Sequence, residues 1–347
     1  VKPEEGLKMT ETPDGSLLTI AIPTFDRNAD LARTVRVLLP QLRPGVLLVI
    51  RDNASPVPVS ETLAPLVDGN ESVEVVRNRF NIGGDANVLR CIETCQTEWL
   101  WVLGDDDLPA PDAVDRIALD IQSAHPSLIC VNYRCELHDR KDALELKGMD
   151  DFLRRMDSLS NVLFLSSNIY RAPALQEQLR LAYTYSSSHM PQVIALMYAL
   201  GVEGRIRLSM DQIASWSEGE FRKSWSVVNA ALGFPIILDL PLSQSQRMAL
   251  ARKAEADAHP ALLGVARQLL FVASAGRDRA NVRWLWRQIR YRRFGGLPWS
   301  FQKLLAGLLQ VLFLAPHTAQ PLIEAVARLI LRERALRNTL QDRQERM

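Results

Sequence analysis

The residues best suited to chemistry in this sequence are three consecutive aspartates, Asp105, Asp106 and Asp107, set directly after the apolar run Trp99 to Leu103 and Gly104. Carboxylates that close repel one another, so something must offset their charge. A divalent cation, Mn2+ or Mg2+, does so when it bridges to a diphosphate, because hard cations prefer carboxylate oxygen and share phosphate oxygens with the protein. The structural alternative is an aspartate-rich turn that also caps a helix starting near Asp112.

Two further segments share this character. Asp52-Asn53-Ala54-Ser55 ends another apolar run; a carboxylate there can accept from a pyrimidine N–H or a ribose hydroxyl, or it can form an Asx turn. Asn81-Ile82-Gly83-Gly84-Asp85-Ala86-Asn87 sets two glycines before a helix, which lets the backbone come close to a ligand.

The elements that must position these residues are legible from periodicity. Leu17 to Ile22, Val46 to Ile50, Val73 to Val76 and Trp99 to Leu103 are short apolar runs that predict buried strands, the first stopped by Pro23. Helical spacing over Arg27 to Leu42 and Asn87 to Cys95 separates them, and Pro44-Gly45 punctuates the first return. Strands alternating with helices predict an α/β domain with a mostly parallel sheet flanked by helices. In such sheets ligands bind beyond the carboxyl ends of the strands, which is where the three polar segments fall. Further along, Phe164 to Ile169 predicts a strand and Pro191 to Leu200 a helix closed by Gly201, and beyond Pro235 the pattern is helical only.

In order and spacing, Ile22-Pro23-Thr24-Phe25-Asp26-Arg27, Asp52-Asn53-Ala54-Ser55, Asn81-Ile82-Gly83 with Asn87, and Gly104-Asp105-Asp106-Asp107 resemble the motifs of the family 2 glycosyltransferases, inverting enzymes with the GT-A fold. The resemblance covers roughly residues 17 to 225. The Gly-Asp-Asp-Asp form and Ser166-Ser167-Asn168-Ile169-Tyr170-Arg171 are similar to the abequosyltransferase-like branch, which acts on bacterial O-antigens. The resemblance implies that Pro23, Thr24, Phe25 and Arg27 line a nucleotide pocket. It places Asp52 on the base, and Asn81, Gly83 and Asn87 beside the ribose and diphosphate. Its Asp-x-Asp element would hold Mn2+ or Mg2+ and the ribose; the register admits Asp105 with Asp107, or Gly104 with Asp106. Asp106 and Asp107 are the preferred metal ligands, with Asp105 on the nucleotide sugar.

An inverting transfer needs a base for the proton of the acceptor hydroxyl. The family carries a carboxylate, usually in a Glu-Asp pair, at the start of the helix that ends with Gly. Here the residues before Pro191 are Ser186-Ser187-Ser188-His189-Met190, with no acid. His189 stands at the expected place, and an imidazole with a pKa of about 6.5 can serve as a base at neutral pH; the alternative is a histidine that only hydrogen-bonds the backbone. Asp211, Glu218 and Glu220 are rival bases. Glu218 to Trp225 could close over the donor, with Arg222 or Lys223 neutralising the leaving diphosphate, or could be an exposed charged loop. Trp216 stands where some relatives carry a metal-binding histidine.

The bulk properties narrow the field. The chain has 347 residues, 47% hydrophobic and 23% charged, with a formal charge of +1, so no global field points to nucleic acid. Three regions are expected: an extended segment 1–16, a GT-A catalytic domain 17–230, and an α-helical C-terminal region 231–347. Cys91, Cys95, Cys130 and Cys135 make no disulfide framework and are expected as reduced thiols of a cytoplasmic protein. The first 16 residues do not read as a signal peptide, and no stretch reaches the roughly 18–20 apolar residues of a spanning helix. Asn281 to Gly295 holds five arginines with Trp284, Trp286 and Tyr291, a composition suited to the headgroups of an anionic membrane; the alternative is a bundle packing those aromatics with Leu304, Leu308 and Val311. The charged helical stretch from Ile323 to Met347 could serve as a homo-oligomer contact.

The function expected is an inverting, metal-dependent transfer from a nucleotide-diphosphate sugar to a polyprenyl-diphosphate-linked glycan at the inner face of the membrane. Two other readings stand beside it. A sugar nucleotidyltransferase would want a glycine-rich basic loop where Pro23-Thr24-Phe25 stands. A non-catalytic sugar- or membrane-binding scaffold is allowed by the missing Glu-Asp pair.

Overall fold

A computed structural model describes residues 17–135, 140–156, 159–215 and 234–250, together with 253 and 321. The chain divides into two compact units, Val1–Arg222 and Lys223–Met347. In the second, a 3-10 stretch Phe234–Asp239 precedes helical residues 244–250, and Ile237, Leu240 and Leu250 are buried. Segment 1–16, the arginine- and tryptophan-rich stretch and the stretch expected as a C-terminal helix lie outside the described residues. Among the described residues no helix is long and apolar enough to cross a membrane.

The first unit opens with β1 (Leu18–Thr24), α1 (Asn28–Leu38), β2 (Val46–Asp52), α2 (Val59–Val67), β3 (Val73–Arg77), α3 (Gly84–Glu93) and β4 (Trp99–Val102). It continues through β5 (Leu108–Pro109), α4 (Ala113–Gln122), β6 (Leu128–Asn132), β7 (Leu144–Lys147), α5 (Gly148–Arg155) and α6 (Ser160–Leu163). The last elements are β8 (Asn168–Arg171), α7 (Ala172–Gln176), α8 (Leu179–Thr184), α9 (Pro191–Leu200), β9 (Arg205–Leu208) and β10 (Ala214–Ser215). Eight strands form one sheet in the order β3-β2-β1-β4-β8-β6-β9-β7. Strands β3, β2, β1 and β4 are mutually parallel, β8 runs against both neighbours, and β9 is parallel to β6. Only β8 and β7 therefore oppose the common direction, as expected of a mostly parallel sheet.

The core follows from the strand composition. Leu18, Ile20, Ile22, Leu48, Ile50, Trp99 and Trp101 pack with Leu31, Val35 and Leu38 of α1 and Val114, Ile117 and Ile121 of α4. On the other face α3, α7, α8 and α9 pack on one another, with α3 against β1 and α9 against β6. Because both faces are covered, the strands are near-continuous apolar runs rather than alternating ones.

Three boundaries differ from the sequence reading, each for a local reason. Pro23 lies inside β1, which runs to Thr24. The ladder to β4 ends at Ala21, so the missing N–H of Pro23 faces a side where no strand needs it. The expected strand Phe164 to Ile169 is a 3-10 turn Leu165–Ser167 followed by β8. There Ser167 and Asn168 donate side-chain hydrogen bonds to Phe164 O, a local competition that short polar side chains commonly win. Helix α3 starts at Gly84 rather than Asn87, because Gly83 (φ +87°) makes the turn and its carbonyl takes the first helical bond, from Asn87 N. All four cysteines are buried free thiols.

Trp101 ties the sheet to the coming site: it is fully buried and its indole Nε1 donates to Ser166 O at 2.9 Å. Trp101→Ala should lower the unfolding free energy by about 3–5 kcal/mol, read by chemical denaturation.

Candidate active site

The carboxyl ends of β1, β2 and β4 place Thr24, Asp52 and Gly104 along one rim. Gly104 is required there. A Cβ at that position would collide with the Asp107 carboxylate, which folds back over it. Gly104 N donates to Ser166 Oγ at 2.9 Å, and Ser166 Oγ in turn donates to Asp107 Oδ2. From beneath, the buried Thr34 hydroxyl of α1 reaches the carbonyls of Asp105 (3.1 Å) and Asp107 (3.0 Å). Strand, turn and helix thus fix the backbone of the triplet from three sides.

The three carboxylates have different surroundings. Asp105 is buried, with Oδ2 accepting from Thr24 Oγ1 at 2.8 Å and Oδ1 from Arg27 Nη1 at 3.0 Å. Asp106 sits nearer the surface and shares that same Nη1 through Oδ2 at 2.7 Å. Arg27 therefore supplies the compensating positive charge that the sequence reading assigned to a metal alone. Asp107 is buried and, among the described residues, forms no ion pair. Burial pushes its carboxyl up to about 7, Asp106 and Asp105 adding to the rise and Ser166 opposing it. Burial also raises Asp105, to about 6, against the pull of Arg27 and Thr24.

Asp52, expected on the base, is held inward. Its Oδ1 accepts from Ser55 N at 2.8 Å, closing the Asx-type turn weighed above, and its Oδ2 pairs with Arg77. Asn53, Asn78, Asn81 and Asn87 form a ladder beside it. Asn53 Nδ2 donates to Asn81 Oδ1 (2.9 Å), Asn78 Nδ2 to both Asn53 Oδ1 (3.0 Å) and Asn87 Oδ1 (2.8 Å), and Asn87 Nδ2 to Arg51 O (3.1 Å). Asn81 and Asn87 thereby bolt the start of α3 to the end of β2, while Gly83 remains exposed. Arg77, Asn53 and Asn78 carry this network and were not singled out from sequence. Pro23 is half-buried and Phe25 is exposed on the same rim.

His189 also belongs to this rim. It precedes α9, whose first turn reaches Leu163 O through Gln192 Nε2 at 3.5 Å, just before the turn that carries Ser166. Its Nδ1 lies 2.7 Å from Asp85 Oδ2 in the first turn of α3, and that hydrogen bond raises the imidazole pKa. Asp211 is exposed, and its charge acts on Tyr133 and Arg116 at the α4 face of the sheet, whereas His189 faces α3. Trp216, Glu218, Glu220, Arg222 and Lys223 lie outside the described residues. The chain leaves for them from Ser215, which pairs with Leu108 next to Asp107.

Among the described residues no group of three or more His, Cys, Asp or Glu forms a ready cage for a metal. Mg2+-type sites do not require one, since one or two carboxylates plus substrate phosphates suffice. Asp106 spends one oxygen on Arg27 and Asp107 one on Ser166, so each keeps a second oxygen, and that donor set fits such a cation.

Residues 19–171 match the family model described as "Glycosyl transferase family 2". That span, under half of the chain, runs from β1 through β8 and includes Arg27, Asp52, Asn87 and the aspartate triplet. None of the curated proteins matches the sequence significantly. Among solved structures the chain is similar to S. aureus TarS 1-349 in complex with UDP, at 14% identity, TM-score 0.56, over 88% of this chain and 90% of that one. The complex of TarS 1-349 with UDP-GlcNAc gives 14% identity and TM-score 0.53 over the same shares. The likeness is one of fold, and the fold is GT-A.

A carboxyl whose folded pKa lies above its unfolded value binds its proton more tightly in the folded chain. Its contribution to stability is full below about pH 4 and is lost as pH rises through about 7. Asp107→Asn, measured by chemical denaturation in EDTA, should therefore stabilise the protein by about 2–4 kcal/mol at pH 8 and leave it near wild type at pH 4.

Proposed function

We propose that this protein is an inverting glycosyltransferase that moves a sugar from a nucleoside-diphosphate donor to a glycan acceptor. The observation that carries the reading is the aspartate triplet, with Asp105 and Asp107 buried, at the carboxyl rim of a parallel sheet, within the span that matches the family 2 model. Buried carboxylates raised toward neutrality are costly, and a site that keeps them has a use for negative charge.

Thr24 and Arg27 keep Asp105 oriented, which leaves Asp106 and Asp107 to hold Mn2+ or Mg2+ against the donor diphosphate. That cation, when bound, supplies charge neutralisation for the departing diphosphate. Helices α1, α3 and α9 all begin at the same rim, so their N-termini add a field that favours a phosphate group. Phe25 and the loop closed by Asp52 and Ser55 offer surface for the base. His189 takes the proton from the acceptor hydroxyl as that oxygen attacks the anomeric carbon. Arg222 and Lys223, which follow closely on Ser215 in sequence, are assigned to the leaving diphosphate.

The acceptor we assign is a lipid-linked glycan, polyprenyl-diphosphate in type, met by a peripheral protein at the cytoplasmic membrane face during O-antigen or surface-polysaccharide synthesis. The arginines and tryptophans of residues 281–295 support this placement by their composition. The sugar moved would be a hexose or deoxyhexose, as in the abequosyltransferase-like branch.

Two measurements test the reading. A thermal-shift screen of UDP, GDP, dTDP and CDP with and without Mn2+ should find one nucleotide that stabilises only with the metal, by about 2.7 kcal/mol at a hundredfold excess over Kd. Asp106→Asn should abolish that metal dependence and lower sugar transfer at least about a hundredfold. Transfer undiminished in Asp106→Asn would contradict the assignment and favour a site without a cation.

A further inference from the structure

Asp85 has no part in the reaction as described so far. It stands in the first turn of α3, where an aspartate could cap its own helix, yet it makes no such bond. Its Oδ2 lies 2.7 Å from His189 Nδ1, and both side chains are about one-third exposed (32% and 33%). His189 adopts a left-handed backbone (φ +61°) at the end of the 3-10 turn Ser186–Ser188. That conformation is uncommon for a residue with a side chain and persists only where its surroundings over-determine it.

The surroundings are specific. Asn53 accepts from Ile82 N and donates to Gly83 O, fixing the loop that delivers Asp85. Ser188 Oγ accepts from Met190 N at 3.2 Å, fixing the turn that delivers His189. Of the charged groups on α3 and α8, Arg90 pairs with Glu93, Tyr183 also donates to Glu93, and Arg180 is exposed. Helix α9 carries no charged residue. Among the described residues, Asp85 is the ionised group whose charge acts on the ring.

We infer that Asp85 is a positioning residue for His189, holding the ring with Nδ1–H toward its carboxylate so that Nε2 presents the lone pair to the acceptor hydroxyl. The inference rests on the glycosyltransferase reading above. In the step, Nε2 takes the hydroxyl proton while the acceptor oxygen bonds to the anomeric carbon. The bond from that carbon to the diphosphate oxygen breaks, and the diphosphate leaves with the electron pair. Asp85 stabilises the imidazolium that forms, which later gives its proton to water. A carboxylate behind an imidazole fixes tautomer and orientation and raises basicity. The dyad thus supplies, from the first turn of α3 and the turn before α9, the base that the missing Glu-Asp pair would have provided.

The ring is read first without any donor, by NMR titration of 13C-histidine-labelled full chain, with His189→Gln assigning the signal. The His189 midpoint should lie above 6.5 in the wild type and fall by at least half a unit in Asp85→Asn; an unchanged midpoint overturns the pairing. Release of nucleoside diphosphate from UDP-, GDP-, dTDP- and CDP-linked sugars with Mn2+ is then followed against pH. The acidic limb of kcat should move down with the midpoint in Asp85→Asn, kcat on the plateau should fall about 10- to 100-fold, and Asp85→Glu should restore part of it. A purely structural pair would change stability and leave the limb in place, which overturns the inference. Turnover that survives in His189→Gln also overturns the dyad while leaving the transferase reading intact. No turnover of any donor by the wild type overturns that reading, and the catalytic role of the dyad with it, whatever the ring titration shows.

Discussion

The site depends on how negative charge is kept at the edge of a hydrophobic sheet. Asp105 and Asp107 are buried, and burying a carboxylate costs several kcal/mol unless charge and hydrogen bonds compensate. Arg27 offers one guanidinium nitrogen to both Asp105 and Asp106, Thr24 covers the far oxygen of Asp105, and Ser166 covers one oxygen of Asp107. The compensation is incomplete. Among the described residues three acids meet one arginine, and Asp107, raised to about 7 mainly by burial, shows where positive charge is still wanted. A protein selected for stability alone has no reason to hold that arrangement, whereas a site that receives a cation and a diphosphate does.

Around that constraint the fold acts as a frame. The parallel strands β3, β2, β1 and β4 deliver their carboxyl ends to one rim, and each loop leaving it is fixed by side-chain bonds. Asp52 closes the loop after β2, the asparagine ladder fixes the start of α3, and Thr34 with Ser166 fixes the triplet. Rigid support of this kind holds catalytic groups at a set distance from one another, which is a large part of what an active site contributes.

Much of this could be read in the sequence, because buried parallel strands are written as apolar runs and the polar segments at their ends stand out against them. The polar segments at the strand ends and the helix ended by Gly201 were visible in that way, whereas His189 stood out only through the family resemblance. What escaped was pairing across the chain. Nothing local in Arg27 says that it will bridge Asp105 and Asp106, since the contacts span 78 residues and more. The pairing of Asp52 with Arg77 escaped as well, although Arg77, a charged residue ending a half-buried edge strand, was a signal for it. Asp85 lay unremarked between two glycines and Asn87; its partner is 104 residues away. Side-chain competition also defeated the strand expected at Phe164, where serines and an asparagine close a 3-10 turn instead.

Linkage between cation and nucleotide at the triplet is the property on which the proposed site most directly depends. Free Mn2+ can be counted by electron paramagnetic resonance as the protein is titrated, first alone and then with saturating nucleoside diphosphate. Two carboxylates sharing their cation with phosphate oxygens predict weak binding alone and affinity at least tenfold tighter with the nucleotide, and by reciprocity the nucleotide must gain by the same factor from the metal. Mn2+ affinity that is the same with and without every nucleotide tried would contradict it.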